Sequence, residues 1–228
     1  TIANYLMEQI KVDPTVVAII AGTPGGFGFN AKWRKEAGKQ YIDVGIAEEH
    51  AIAMSSGIAK NGAKPVFSVF STFLQRAYDQ LVQDLSVNNN SAVIINHDAS
   101  VYGMNDVTHL GFFDIPMLTS IPNLVYLAPT NNEELLAMTE YAVHQEDHPV
   151  AIRVPVGKFI STGVADTTDY SLLNNSEVTR HGKGIALLGL GNFYHLAKQV
   201  ADELAKVGIN ATVVNPKFAS GLDEELLK

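Results

Sequence analysis

The chain has 228 residues, with 16 Lys and Arg against 24 Asp and Glu, for a net charge of −8. That balance argues against a nucleic-acid partner, because phosphate neutralisation needs clustered Lys and Arg, and no basic amphipathic stretch marks a membrane surface. With no cysteine there is no disulfide framework, no thiolate metal site and no thiol nucleophile.

In chain order the pattern predicts helix 2–10, strand 16–21, strand 41–44, helix 48–61, strand 65–70, helix 73–87 and strand 93–96. Helix 112–119, strand 124–127, helix 133–144, strand 150–154, strand 185–190, helix 193–207 and strand 211–214 follow. The strand runs are continuously apolar rather than alternating, as in strands covered on both faces. Strands and helices alternating at this spacing define an α/β fold with a doubly wound, mostly parallel sheet. Ligands of such sheets sit beyond the carboxyl ends of the strands, so the loops that follow strands are where chemistry is expected. Residues 156–184, rich in Gly, Thr, Ser, Asp and Asn with little periodicity, read as a linker. It would join a complete α/β domain, 1–155, to an incomplete second one, 185–228. The chain starts at Thr1 and stops within a helix-like run, so a fragment of a longer protein is expected. No signal peptide or membrane-length apolar run is present, which makes the cytoplasm the default location.

Four segments after strands carry chemistry-bearing residues. Gly22-Thr23-Pro24-Gly25-Gly26-Phe27-Gly28 fits neither a Walker loop nor the dinucleotide fingerprint, and a flexible turn is preferred over a phosphate cradle. Asp43 to His50 runs from a strand into a helix. Its glutamates either serve the helix dipole or place one carboxyl in a cleft, where burial raises its proton affinity. In Phe70 to Gln80, Thr72 is a candidate N-cap, and Phe73, Arg76 and Gln80 share one helical face. There Phe73 is either a core aromatic, with Arg76 paired to Asp79, or a plate for a flat heterocycle. The long polar stretch 96–111 holds His97, Asp98, Asn105, Asp106, Thr108 and His109. His97 and His109 match no compact metal spacing.

The run Ser71-Thr72-Phe73-Leu74-Gln75-Arg76-Ala77-Tyr78-Asp79-Gln80, with Asp43 to His50, Thr108-His109, Ile121-Pro122-Asn123 and Ala128-Pro129-Thr130, resembles the pyrimidine-binding domain of thiamine-diphosphate enzymes. Within them it is most similar to the 1-deoxy-D-xylulose-5-phosphate synthases of the transketolase superfamily, over nearly the whole chain. The resemblance implies a transferase that moves a two-carbon unit from a keto acid or ketose to an aldehyde, with thiamine diphosphate and Mg²⁺ as cofactors, in a homodimer. It makes Glu48 the carboxyl at the aminopyrimidine ring, favouring the imino tautomer that generates the cofactor's nucleophile. Phe73 would stack on that ring, Arg76, Ile46 and Phe70 would line its pocket, and His109 would face the substrate and move protons. No Gly-Asp-Gly motif for diphosphate and metal is present, so Mg²⁺ ligands are expected outside this segment.

Several positions depart from that family. Its Asp-Arg-Ala-Gly is His97-Asp98-Ala99-Ser100 here, a second phosphate-gripping arginine is Val156, a substrate-side aspartate is Asn105 and a tyrosine is Phe70. An anion in place of a phosphate-gripping cation reverses the sign of the interaction. An altered acceptor, such as an unphosphorylated aldehyde, is therefore expected. The alternatives are a β-type subunit of a split transketolase or 2-oxo acid dehydrogenase, a non-catalytic partner-binding paralogue, and a generic doubly wound nucleotide-binding domain.

Overall fold

Strand β1 (Val16–Ile20) shows how the sheet is made. Val16, Ala18 and Ile20 join one apolar cluster and Ile19 joins another, so alternate side chains enter cores on opposite faces. The same division recurs in β3 (Lys64–Phe70) and β4 (Val93–His97), where Val66, Val93 and Ile95 face one way and Phe67, Val69 and Ile94 the other. A computed structural model describes residues 1–101, 108–157 and 159–228. Asn105 and Asp106 lie outside the described residues.

With β2 (Tyr41–Asp43), β5 (Val125–Leu127) and β6 (Val150–Val154), these strands form a six-stranded sheet of order β2-β1-β3-β4-β6-β5. Every pairing in it is parallel. Helices α1 (Ile2–Val12), α2 (Ala31–Ala37) and α7 (Asn132–His144) supply the core on one face. The other face is covered by α3 (Glu48–Lys60), by a helical segment running from α4 (Ser71–Leu74) through α5 (Tyr78–Gln80), and by α6 (Asp114–Thr119). This is the doubly wound sheet expected from the sequence.

A small second sheet is built from β7 (Glu177–Arg180), β8 (Ala186–Leu188) and β9 (Thr212–Asn215) in the order β7-β9-β8, with α8 (Tyr194–Lys206) packed against it. It is fastened to the large sheet. Ala128 N–H donates to the Lys217 carbonyl at 2.7 Å, and Asn215 Nδ2 donates to the buried Glu134 at 2.8 Å.

The elements differ from expectation in four places. Helix α2 was not expected, and neither was β7, which falls inside the stretch read as an aperiodic linker. The helix expected over 73–87 is broken into α4, a 3-10 turn at Gln75–Ala77, α5 and a π-helical stretch at Leu81–Ser86. Thr72 is not an N-cap: the helix already begins at Ser71, with Phe70 before it.

Candidate active site

In the order β2-β1-β3 the winding reverses between β1 and β3, and a doubly wound sheet opens its ligand crevice at such a reversal. The loops after these two strands meet there ring to ring. Phe27 lies 4.8 Å from Phe70, Phe70 lies 5.9 Å from Phe73, and Phe73 lies 5.3 Å from His109. His97, at the end of β4, stacks on Phe27 at 4.4 Å. The glycine-rich segment thus forms a wall rather than a free turn. A Cβ on its Gly26 would come within 2.9 Å of the Phe70 ring, so a side chain there would displace that ring.

The loop after β2 is drawn to the same place. Asp43 Oδ1 accepts from the N–H groups of Gly22 at 2.9 Å and Gly45 at 3.0 Å, joining the ends of β1 and β2. Gly45 takes φ +70°, a left-handed conformation that suits glycine, and α3 starts three residues later. Glu48, its first residue, is only 2% exposed. Its Oε2 accepts from Arg76 Nη1 at 3.2 Å, and Arg76 is about half exposed. No other side chain hydrogen-bonds that carboxyl among the described residues, which leaves its second oxygen uncommitted. Arg76 therefore pairs with Glu48, 28 positions away, and not with Asp79 on its own helix.

Of the residues singled out from sequence, Glu48 pairs with Arg76, and Phe70, Phe73 and His109 form one run of ring contacts. Ile46 is 81% exposed and lies over Gly22 at the rim of the crevice. Burial pushes the His97 imidazole down to about 3, and its Nε2 has no hydrogen-bond partner, so the ring is neutral near pH 7. Asp98 sits at φ +54° with its carboxyl raised by burial, an effect the nearby His109 partly offsets. A Cβ on Gly111 would fall 1.7 Å from the Asp98 carbonyl oxygen, so only glycine allows the two ends of the His109 loop to close.

Sequence reasoning missed a buried polar network behind the crevice. Asp114 Oδ2 accepts from Arg153 Nε at 2.7 Å and from the Tyr126 hydroxyl at 2.5 Å. Tyr126 oxygen accepts from Asn96 Nδ2 at 2.9 Å, and Arg153 Nη1 reaches Asn192 at 3.4 Å. Burial, then Asp114, push the Tyr126 hydroxyl well above its ordinary value, consistent with its role as donor. The signal was present in sequence: Arg153 interrupts an otherwise apolar strand, and such a cation needs a partner. Among the described residues no group of three or more His, Asp or Glu side chains could hold a metal ion. An apolar cavity of about 440 Å³ lies elsewhere, on the small sheet, lined by Leu188, Val214, Phe218 and Leu222.

A chain titled "Split gene transketolase, inactive beta4 tetramer" superposes with a TM-score of 0.77 at 22% identity, covering 99% of this chain and 72% of that one. A transketolase from Leishmania mexicana superposes with a TM-score of 0.81 at 16% identity, over 95% of this chain and 33% of that one. Residues 1–159 match the family described as "Transketolase, pyrimidine binding domain", and residues 174–228 that described as "Transketolase, C-terminal domain". The chain therefore belongs to the transketolase superfamily. Its sequence is 39% identical over 226 residues to the 1-deoxy-D-xylulose-5-phosphate synthase of Acaryochloris marina, and 39% identical over 224 residues to that of Symbiobacterium thermophilum. These alignments cover 99% and 98% of this chain but 35% and 34% of the relatives, so the chain spans about a third of their length.

Proposed function

We propose that this chain forms the pyrimidine side of a thiamine-diphosphate site in an enzyme that transfers a two-carbon unit from a keto acid or ketose to an aldehyde. The observation that carries this reading is the buried Glu48 carboxyl, with one oxygen held by Arg76, which follows Phe73 by three residues in the same helical segment. These groups fit a flat aminopyrimidine: an acid at the depth of the ring nitrogen and an aromatic ring next to it. When bound, thiamine diphosphate supplies the electron sink that two-carbon transfer needs.

The chain's own groups divide the remaining work. Glu48 would hold a proton at the ring nitrogen, and Arg76 fixes the carboxyl through its other oxygen. Phe73, wedged between Phe70 and His109, orients the ring, and Ile46 and Phe70 bound the pocket. His109 holds or moves a proton at the substrate oxygen. Mg²⁺ and diphosphate ligands lie outside this segment. A second protomer would cover the rim, where Ile46, Phe112 and Phe113 are exposed, giving a homodimer. A domain of residues 1–155, a linker of 156–184, a second domain from 185 and a cytoplasmic location complete the reading.

Glu48→Gln in the full-length assembly tests it. The variant folds and turnover falls by about 10²–10⁴-fold, the usual worth of a placed acid or base; unchanged turnover removes Glu48 from the mechanism. The acceptor is read as unphosphorylated, because Asp98 and Val156 stand where the resembling family grips phosphate with arginines. A panel of aldehydes decides this, and normal turnover with glyceraldehyde 3-phosphate overturns it. The second reading is a β-type subunit of a split transketolase or 2-oxo acid dehydrogenase. It is favoured by the share of the split-gene chain that superposes. The composition of the native assembly separates the two.

A further inference from the structure

Thr72 is the second residue of α4, but its hydroxyl serves neither that helix nor its own turn. It donates to the carbonyl of Thr108, 36 positions later, at 3.0 Å. The Thr108 hydroxyl in turn lies 2.8 Å from Nδ1 of His109, whose ring meets Phe73 at 74°. Phe73 is the residue after Thr72, so whatever is tied to Thr72 moves with the Phe73 platform. The far side of the His109 segment has its own anchors, with Gly111 closed on Asp98 and Asp114 locked to Arg153.

We propose that Thr72 is a positioning residue that sets the place and ring rotation of His109 relative to Phe73. The tie is short and directional. A hydroxyl-to-carbonyl bond fixes the Thr108 backbone, and the Thr108 side chain then fixes Nδ1 of the imidazole and with it the rotation of the ring. Misplacing a proton-transfer group by about 1 Å costs on the order of 10²-fold in rate, so a lost tie is measurable. Thr72 is half-buried, and valine has its shape, so removing the hydroxyl opens no cavity. The catalytic consequence rests on the reading of Phe73 and His109 given above; the structural tie does not.

The test has two arms, each using Thr72→Val and the conservative Thr72→Ser. In the first, the imidazole ¹⁵N–¹H correlations of His109 are followed against pH. Thr72→Val is expected to shift the resonances at every pH, and Thr72→Ser to restore them; superimposable spectra for wild type and Thr72→Val overturn the proposal. In the second, the thiamine-loaded full-length assembly is assayed. Thr72→Val is expected to lower kcat at least tenfold with cofactor Kd within twofold of wild type, and Thr72→Ser to stay within threefold in kcat. Equal kcat for Thr72→Val and wild type overturns the proposal. If wild type itself binds no thiamine diphosphate, the functional reading fails, while the first arm still decides the role of Thr72.

Discussion

Arg153→Met should be among the most destabilising single substitutions in the chain. Arg153 is 6% exposed and Asp114 completely buried, and Asp114 Oδ1 has no hydrogen-bond partner even in the intact protein. Removing the guanidinium leaves a buried carboxyl held by the Tyr126 hydroxyl alone. Breaking a buried pair by deleting one partner costs about 3–5 kcal/mol. With a urea slope of about 2–3 kcal/mol/M, the unfolding midpoint should fall by about 1–2.5 M. Replacing both partners, as Arg153→Met with Asp114→Leu, removes the stranded charge. The Tyr126 hydroxyl then loses its acceptor and the Asn192 amide oxygen its donor, so stability should return to within about 1–3 kcal/mol of wild type. Equilibrium urea denaturation at pH 7 measures all three proteins, with Lys206→Ala as a control. The Lys206–Glu203 pair is 66% and 72% exposed and should contribute nothing measurable. A single variant costing under about 1 kcal/mol, or a double variant no better than the single, would refute the assignment of a desolvated ion pair.

Gly111→Ala should fold but displace the His109 loop, because its Cβ would fall 1.7 Å from the Asp98 carbonyl oxygen; turnover drops while the far-ultraviolet spectrum is retained, and full activity would show that the loop relaxes freely. Phe73→Ala should weaken thiamine diphosphate binding by a few kcal/mol at most, as stacking is worth about 0.5–1.5 kcal/mol beyond buried area; calorimetry reads it. Glu133 accepts from Ser161 and from the N–H groups of Thr162 and Gly163, which together hold its carboxyl down near 2 against an ordinary value of 4.5. A depressed folded-state value stabilises the fold above the unfolded value and is lost as pH falls through the folded one. Proteolytic nicking around 161–163 should therefore rise between about pH 4.5 and 2, and Glu133→Gln should show the raised nicking already at pH 7.

The fold was legible where burial is two-sided. Val16–Ile20 and the Val93-Ile94-Ile95 start of Val93–His97 are apolar on consecutive positions because both faces of the sheet are covered. Helix α2 was not legible because only Ala37 of its seven residues is buried; its signals are local, with Asn30 accepting from Trp33 N–H and Gly38 at its end. Strand β7 is four residues long and no more than half-buried, so it shows no core run. The π-helical stretch was hidden because Leu81 and Leu85 keep a helical spacing whatever hydrogen-bond register the backbone adopts. At the site, individual residues stood out but their partners did not. Arg76 has a nearby acid at Asp79 and bonds a distant one instead, because sequence spacing reports neighbours along a helix and says nothing of what a crossover brings alongside it.

That crossover also explains why the acid sits where it does. Strand β2 lies beyond β1, on the far side from β3, so the loop after it has no topological reason to reach the β1–β3 crevice. The two bonds to Asp43 Oδ1 supply one: they hold Gly22 and Gly45 together, and Gly45 leads into the start of α3. Among the described residues Asp43 forms no hydrogen bond or ion pair with Arg76, yet its two bonds set where the chain enters α3, and Glu48 is the first residue of that helix. Asp43→Ala should therefore leave the sheet intact, because β2 keeps its register with β1 through backbone bonds. It should weaken cofactor binding and turnover in the direction of Glu48→Gln, while Asp43→Asn, which keeps an accepting oxygen, should lose far less. If Asp43→Ala binds and turns over like wild type, Glu48 is held by its helix and by Arg76 alone, and the Asp43 staple has no part in building the site.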